Sequence, residues 1–285
     1  MPFLKSLKTT LEMTKFEHTV FALPFALLSA VLASGGWPEA PKLFWIVVAM
    51  MGARSAAMAF NRIADSAIDA ENPRTRIRAL PAGQLSRTFA ILFTLSSSLV
   101  FVAAAWKLNP LCLWLSLPVL GILFFYSYTK RFTSYSHLVL GFCLGMAPLG
   151  SWIAIRGDVV LTPILLCLVV LLWTAGFDII YACQDVDFDR RKKLFSLPKL
   201  LGVRKALNVS SLLHALMMLV LLLLFFAENL SWVSLTGIVL VGSLLWYEHS
   251  LVRPDDLSRV NAAFFTVNGY ISMLLLLAVG ADKLR

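Results

Sequence analysis

The sequence predicts an all-α membrane protein, in which nine transmembrane helices form a bundle around a central cavity and cytoplasmic loops cap that cavity. The first observation is composition: the 285 residues are 59% hydrophobic and 14% charged, whereas a soluble domain is about 25% charged. The second is that the apolar residues form long continuous runs, which suit spanning helices and not the alternating strands of a β-barrel. These observations exclude a soluble globular protein, a disordered chain and a nucleic-acid-binding module, although the net charge is +9.

Nine hydrophobic segments cover most of the chain, and together they predict a single membrane domain over residues 1–285. A helix satisfies its own backbone hydrogen bonds, so it is the structure that each segment can adopt in lipid. Pro24, Pro118 and Pro148 lie inside segments, where membrane helices tolerate them. The predicted segments are 19–36, 42–64, 89–106, 110–128, 135–155, 160–184, 205–227, 230–250 and 260–280.

The first segment shares some features with a signal peptide, because Lys5, Lys8 and Lys15 precede its apolar run. The basic stretch is longer than a signal peptide requires, and Glu17 and His18 abut the apolar core. We therefore predict that this segment is retained as the first transmembrane helix.

The distribution of lysine and arginine predicts the orientation, because the cytoplasmic loops of membrane proteins carry an excess of both. The N-terminus and every second loop after it hold 18 of the 25 lysines and arginines, and the opposite set of loops holds 5. We therefore expect the N-terminus and the two long basic loops in the cytoplasm. With nine spans the C-terminus lies outside, and the membrane is expected to be a bacterial inner membrane.

Acidic residues concentrate in two windows, each of which opens a long basic loop. In the first window, Asn61, Asp65 and Asp69 recur every four residues, which places them on one face of a helix. Arg54 stands seven residues before Asn61, on the same face and deeper in the membrane. The first window therefore predicts a stripe of oxygen ligands at the end of the second span.

The second window lies at the end of the sixth span and has the same spacing. Tyr181, Asp185 and Asp189 again recur every four residues, and Asp178 stands seven residues before Asp185 on the same stripe. Asp187 points away from this stripe if the helix continues. Both windows thus present carboxylates on one helix face, at the same predicted side of the membrane.

Two oxygen-rich stripes favour a hard divalent cation such as Mg²⁺, which keeps several waters and is usually shared with substrate phosphates. Zinc is not favoured, because the four cysteines lie singly in apolar stretches and the sequence has no His/Cys cluster. A cation that joins the carboxylates to a diphosphate would relieve their mutual repulsion. The structural alternative is a pair of solvated acidic helix ends that loop arginines neutralise.

At these two windows the sequence resembles the UbiA family of intramembrane prenyltransferases. Members of that family carry NxxxDxxxD in one helix and a second DxxxD, often with a tyrosine four residues before it, and both motifs are present here. The resemblance extends to the loop 72–83 and to the stretch 126–131. The stretches 18–25 and 176–185 resemble the 4-hydroxybenzoate polyprenyltransferase-like branch, some members of which are linked to menaquinone made by the futalosine route.

The resemblance implies transfer of a polyprenyl group from a polyprenyl diphosphate to an aromatic acceptor in ubiquinone or menaquinone biosynthesis. The implied acceptor is 4-hydroxybenzoate or a dihydroxynaphthoate, and the implied cofactor is Mg²⁺, with the diphosphate between the two stripes. The implied metal ligands are Asn61, Asp65, Asp69, Asp185 and Asp189, and the implied cations at the diphosphate are Arg74, Arg78 and Lys130. The lipid bilayer surrounds the chain, and neither nucleic acid nor an obligate protein partner is expected.

The same resemblance assigns roles in catalysis. The ring faces of two tyrosines would stabilise an allylic cation, and Asp178 would orient a ring hydroxyl or accept its proton. Arg54 is the candidate to bind the acceptor, since an arginine inside a span is costly without a use. The alternatives are an internal ion pair for Arg54, ordinary packing for the tyrosines, and topology alone for the loop arginines. The residues assigned to catalysis are Asp65, Asp185, Tyr126, Tyr181 and Asp178.

Two other classes of function compete with an enzyme. A transporter would fit an internal repeat, which the matching windows suggest, with spans 1–4 and 5–8 as its halves and span 9 added. Its charged residues would be expected near the membrane midplane, however, whereas the carboxylates here cluster at the cytoplasmic ends of the spans. A non-catalytic scaffold has no reason to repeat the acidic motif. An enzyme of the UbiA type with a non-quinone acceptor is a further alternative.

Overall fold

The computed structural model describes residues 9–10 and 19–285, and none of these residues belongs to a β-strand. An isolated antiparallel bridge between Arg253 and Asp256 turns the loop before the last helix. The basic N-terminal lysines and His18, on which the signal-peptide and orientation predictions partly rest, lie outside the described residues.

Helices follow one another along the chain with short connections. The first six are α1 (Thr19–Ser34), α2 (Ala40–Glu71), α3 (Arg87–Leu108), α4 (Pro110–Thr129), α5 (Ser136–Arg156) and α6 (Leu161–Ala182). A 3₁₀ turn (Cys183–Asp185) leads into α7 (Val186–Arg191) and α8 (Leu197–Leu201). The last long helices are α9 (Val203–Ala227), α10 (Trp232–Ser250) and α11 (Asn268–Lys283), and a π-helical turn (Ala262–Val267) precedes α11.

Seven described helical stretches are long and apolar enough to cross a membrane, which confirms the predicted all-α membrane protein. They are α2, α3, α4, α5, α9 and the stretches Leu161–Arg191 and Ala262–Lys283. The apolar helix Phe21–Ser34 is shorter, and α10, which ends in polar residues, is not among the seven. Nine spans therefore remain a prediction.

Helix α2 is longer than the segment 42–64 that the hydropathy of the sequence predicts. It continues through the first acidic window to Glu71, because that window keeps helical spacing although it is no longer apolar. Asn72 then starts a turn, in which its side-chain oxygen accepts a hydrogen bond from the Arg74 backbone N–H at 2.9 Å. Asp65 and Asp69 therefore stand on the helix and not in the loop.

The described residues form two compact units, and the first contains residues 9–10, 19 and 44–128. Its described part is chiefly α2, α3 and α4. Gly52 brings α2 and α3 close together, since a Cβ atom at this position would lie 2.8 Å from the Phe101 backbone nitrogen. Nearer the acidic window, the rings of Phe60 and Phe124 stack at 4.3 Å between centroids. Backbone proximity and ring stacking thus fix the end of α2 against its neighbours.

The second unit contains residues 20–43 and 129–285, so α1 belongs to it. Ser29 Oγ donates to the Pro148 carbonyl, and Ser151 Oγ donates to the Ala26 carbonyl, each at 2.7 Å. These two reciprocal bonds join α1 to α5 in an apolar environment where hydroxyl groups need partners. The two units consequently do not coincide with the predicted halves, spans 1–4 and 5–8.

Glycines also allow close packing inside the second unit. A Cβ atom at Gly141 would collide with the Leu171 carbonyl oxygen, and one at Gly145 would lie 2.7 Å from the Cys167 carbonyl oxygen. The GxxxG spacing in α5 therefore serves contact with α6, as such spacing does in membrane helices. This contact fixes α5 against the helix that carries the second acidic window.

Candidate active site

The first acidic window forms a polar ridge along the end of α2. Asn61 Nδ2 donates to Asp65 Oδ2 at 3.0 Å and to Ser127 Oγ at 3.4 Å. These bonds use the amide nitrogen, so the amide oxygen of Asn61 is left for another ligand. The four-residue spacing thus places Asn61 beside Asp65 on one face of α2, as predicted, and the two side chains also bond to each other.

Asp69, at the last turn of this ridge, is buried and compensated by arginines. Arg78 Nη1 donates to both carboxylate oxygens, each at 2.7 Å. Arg62, itself buried, places Nη1 4.0 Å from Asp69 Oδ2. The predicted metal ligand Asp69 and the predicted diphosphate ligand Arg78 therefore contact each other in this structure.

A compact turn after α2 brings Arg78 back to Asp69. Thr75 is buried and its Oγ1 donates to the Asp69 carbonyl at 3.1 Å, while its N–H donates to the Asn72 carbonyl at 3.0 Å. Arg74 and Arg76 on the same turn are exposed. The loop therefore holds one arginine, Arg78, that contacts Asp69 on α2, and two arginines, Arg74 and Arg76, that are exposed.

The second acidic window differs in backbone and in charge. The 3₁₀ turn at Cys183–Asp185 interrupts the helix, and α7 then carries Asp189. Asp185 is 7% exposed and Asp189 is 1% exposed. Within the described part of the chain, neither oxygen of Asp189 accepts a hydrogen bond. Its ion-pair partner among the described residues is Lys130, whose Nζ lies 3.9 Å from Asp189 Oδ1.

A buried carboxylate without a donor is costly, because it has lost its water and gained no hydrogen bond. The segment after α7 nevertheless holds this arrangement in place. The Leu194 N–H donates to the Asp189 carbonyl at 3.0 Å, and the Phe195 N–H donates to the Lys130 carbonyl at 2.8 Å. Asp189 and Lys130 are thus fixed to one segment of backbone.

Asp187 lies between Asp185 and Asp189 in the sequence, and it is exposed, as predicted for a residue outside their stripe. Its side chain is 85% exposed and lies 3.7 Å from Arg190 Nη1, three residues further on. The predicted stripe therefore excludes Asp187, although the helix is not continuous through the window.

Asp178 has a partner that the sequence did not indicate. Its Oδ2 lies 2.6 Å from Nδ1 of His137, which is fully buried in α5. The two residues are 41 positions apart, so neither spacing nor periodicity links them. The packing of α5 on α6 is what brings them together.

The remaining predicted residues fall in both units. The Tyr181 ring packs on Phe264 at 4.3 Å between centroids and, edge-on, on Phe265 at 6.4 Å. Tyr126 is partly buried near the end of α4, and Arg54 is partly buried in the middle of α2. Their contacts with substrate stay predictions.

The donor groups fit a divalent cation that is held only in part by protein. Among the residues that the structure describes, no three His, Cys, Asp or Glu side chains converge to form a complete metal site. An ion bound through one or two carboxylates would complete its shell with water and with substrate phosphate oxygens, as Mg²⁺ usually does. The unbonded oxygens of Asp189 supply ligands of this kind.

Comparisons with known proteins concern the chain as a whole. The model of the UbiA prenyltransferase family matches residues 22–272. The chain is 31% identical to a 4-hydroxybenzoate octaprenyltransferase of Tolumonas auensis, over 86% of this chain and 85% of the relative. It is 30% identical to the enzyme of that name in Vibrio atlanticus, over 90% and 89% of the two chains.

Solved structures add the fold. The structure of a UbiA homologue from Aeropyrum pernix covers 93% of this chain and 96% of its own, with a TM-score of 0.80 and 32% identity. A UbiA homologue from Archaeoglobus fulgidus bound to GPP and Mg²⁺ covers 97% and 99%, with a TM-score of 0.74; at 18% identity this likeness concerns the fold alone. The family model and the relatives each extend over most of the chain, and the chain belongs to the UbiA prenyltransferase family.

Proposed function

We propose that this prenyltransferase catalyses the Mg²⁺-dependent transfer of a polyprenyl group from polyprenyl diphosphate to 4-hydroxybenzoate, a step in ubiquinone biosynthesis. The observation that carries the proposal is Asp189, a buried carboxylate that accepts no hydrogen bond within the described part of the chain and forms an ion pair with Lys130. A buried carboxylate is costly unless it is paired, hydrogen-bonded or bound to a metal ion, and a divalent cation would supply the interaction that hydrogen bonds do not. The names of the relatives from Tolumonas and Vibrio support the acceptor.

Binding of the diphosphate is assigned to the ends of the two acidic helices. The ion supplies charge stabilisation for the departing pyrophosphate, in which negative charge develops. Arg78 exchanges the carboxylate of Asp69 for phosphate oxygens, which arginine binds with similar geometry. Lys130 and Arg74 add positive charge. The proposed ligands of the ion are Asn61, Asp65, Asp69, Asp185 and Asp189.

Transfer then requires one bond to break and one to form. The C1–O bond breaks and its electron pair leaves with the pyrophosphate, so that the prenyl group becomes an allylic cation. Tyr126 and Tyr181 present electron-rich ring faces to that cation. The acceptor ring attacks C1, and Asp178 takes a proton from the acceptor, which restores the aromatic ring.

Acceptor binding and exclusion of water complete the proposal. Arg54 binds the carboxylate of 4-hydroxybenzoate, because a guanidinium inside a span favours an anionic partner. Apolar walls keep water from capturing the allylic cation. The prenyl tail extends into lipid, and we propose that the site opens to the cytoplasm, as the excess of basic residues in the same loops indicates.

The test is a membrane assay with radiolabelled polyprenyl diphosphate, an aromatic acceptor, and either Mg²⁺ or EDTA. Acceptors are 4-hydroxybenzoate and 1,4-dihydroxy-6-naphthoate in parallel. A lipid-soluble product that requires both Mg²⁺ and 4-hydroxybenzoate supports the proposal. Product with the naphthoate alone would indicate an enzyme of menaquinone biosynthesis. Movement of substrate across the membrane without product would favour the transporter.

A matched pair of variants makes the assay specific. Asp185→Asn removes a proposed ligand, whereas Asp187→Asn changes an exposed carboxylate on the neighbouring turn. The proposal expects loss of product for the first variant and product within twofold of the unmodified enzyme for the second. Equal activity of the two variants would contradict the assigned site.

A further inference from the structure

His137 is a fully buried histidine whose two ring nitrogens both have partners. Nδ1 lies 2.6 Å from Asp178 Oδ2, and Nε2 lies 3.5 Å from the backbone nitrogen of Leu197, at the start of α8. All three groups belong to the second unit. An ionisable side chain at this depth is rare unless its hydrogen bonds are satisfied or it has a function.

The two partners determine which nitrogen carries the proton. The Leu197 N–H can only donate, so Nε2 must accept and is unprotonated. A neutral imidazole then carries its proton on Nδ1, which donates to Asp178. The contact therefore fixes the orientation of the Asp178 carboxylate.

One oxygen of Asp178 stays available. The bond from His137 uses Oδ2, and within the described part of the chain no hydrogen bond to Oδ1 is formed. The Asp178 side chain is 19% exposed. A carboxylate that is fixed at one oxygen and accessible at the other is the arrangement that a proton acceptor requires.

The backbone partner of His137 belongs to the segment that also holds Lys130. Within that segment, Phe195 donates to the Lys130 carbonyl, and Ser196 accepts from the Lys199 N–H at the start of α8. Leu197 follows directly. His137 thus connects the proposed acceptor side of the site to the segment that fixes the diphosphate side.

We propose that His137 is the positioning residue for Asp178: it holds Oδ2 so that Oδ1 faces the acceptor and takes its proton after the ring has attacked C1. This inference rests on the proposed function. In that step the C–H bond at the attacked ring carbon breaks, and its electron pair returns to the ring and restores aromaticity. The carboxylate of Asp178 takes the proton and becomes a carboxylic acid, and the proton then passes to water. His137 itself keeps one proton throughout.

The experiment compares three variants in the membrane assay with 4-hydroxybenzoate. In His137→Asn the amide nitrogen can replace Nδ1 as the donor, whereas His137→Leu removes the donor. His249→Gln is the control, because His249 lies in the same unit and its Nε2 bonds to His214 and not to Asp178. We expect kcat to fall by about 10²-fold in His137→Leu, by about tenfold or less in His137→Asn, and to stay within twofold in the control.

Two further readouts separate positioning from a general loss of structure. The KM for polyprenyl diphosphate should change less than twofold in either His137 variant, since the diphosphate side is intact. In an Asp178→Asn background, His137→Asn should cause no further loss of kcat, because the group that it positions has already been removed.

The outcomes distinguish this inference from the proposed function. No product from the unmodified enzyme would overturn the function, and the inference with it. An active enzyme in which His137→Leu keeps its kcat, or in which both His137 variants raise the KM for diphosphate and lower thermal stability alike, would overturn the role of His137 and leave the function standing.

Discussion

The two acidic windows have the same residue spacing, but they differ in how the protein compensates the charge of their buried carboxylates. In the first, an unbroken helix presents Asp69 to Arg78, which donates to both carboxylate oxygens, and Arg62 lies close by. In the second, a 3₁₀ turn precedes Asp189, whose oxygens accept no hydrogen bond within the described chain and whose ion-pair partner there, Lys130, stays 3.9 Å away. Asp69 thus accepts hydrogen bonds from an arginine, whereas Asp189 has an ion pair with Lys130 and no hydrogen-bond donor within the described chain.

This difference indicates that the second window, rather than the first, depends on a bound ligand. A buried carboxylate that accepts hydrogen bonds from an arginine regains part of what it loses with its hydration, whereas one that accepts none regains only what its ion pair supplies. An ion bound at the second window would lower that cost. In the first window, we propose that Arg78 moves from Asp69 to a phosphate.

The largest expected effect is on catalysis, and it should be shared by both windows. Asp69→Asn and Asp189→Asn should each lower kcat/KM by about 10³-fold, since each removes a proposed ligand of the ion that would stabilise the leaving pyrophosphate. The measurement is steady-state product formation in membranes, with Asp187→Asn as the control. Near-normal activity of either variant would remove its window from the site.

Substitutions of Asp69 and Asp189 should affect the stability of the protein differently. In detergent with EDTA, Asp69→Asn leaves Arg78 and Arg62 without their carboxylate and should lower the free energy of unfolding by on the order of 2 kcal/mol. Asp189→Asn removes a buried charge that accepts no hydrogen bond within the described chain, and it should leave stability unchanged or raise it. Thermal unfolding of the purified variants measures this. A loss of stability in both would mean that the two windows are compensated alike.

The smallest expected effect concerns the arginine that is proposed to change partners. Arg78→Met should weaken binding of prenyl diphosphate about tenfold, because a charge-assisted contact to phosphate is lost. Arg76→Met, on the same turn but exposed, should change the affinity less than twofold. Equilibrium binding of a labelled diphosphate gives both values. Equal effects of the two variants would reduce Arg78 to a structural partner of Asp69.

Local patterns made much of this architecture predictable. The spacing of Asn61, Asp65 and Asp69 follows the helical period, so one face could be assigned without knowledge of the neighbours. The same reasoning placed Asp187 outside the stripe, which its 85% exposure confirms. Hydropathy likewise predicted the long apolar helices, although it ended α2 too early because it does not register polar helical turns.

The partners of the buried carboxylates could not be predicted from the sequence, because they depend on contacts between distant parts of the chain. Asp69 meets Arg78 only through the compact turn that Asn72 and Thr75 form, and the Asn-Pro pair at its start signals a turn without specifying its geometry. His137 meets Asp178 through helix packing across 41 residues. Patterns in a single sequence locate candidate ligands, and tertiary contacts decide which of them are already satisfied.

We propose that the second window needs a cation in order to bind a prenyl diphosphate. The most direct test is binding of a labelled prenyl diphosphate to the purified protein in nanodiscs, titrated with Mg²⁺ in the unmodified chain and in Asp189→Asn. The account predicts tight binding that requires Mg²⁺ in the unmodified chain, and weak binding at any Mg²⁺ concentration in the variant. Binding that is equally tight in EDTA, or unaffected by the substitution, would contradict it.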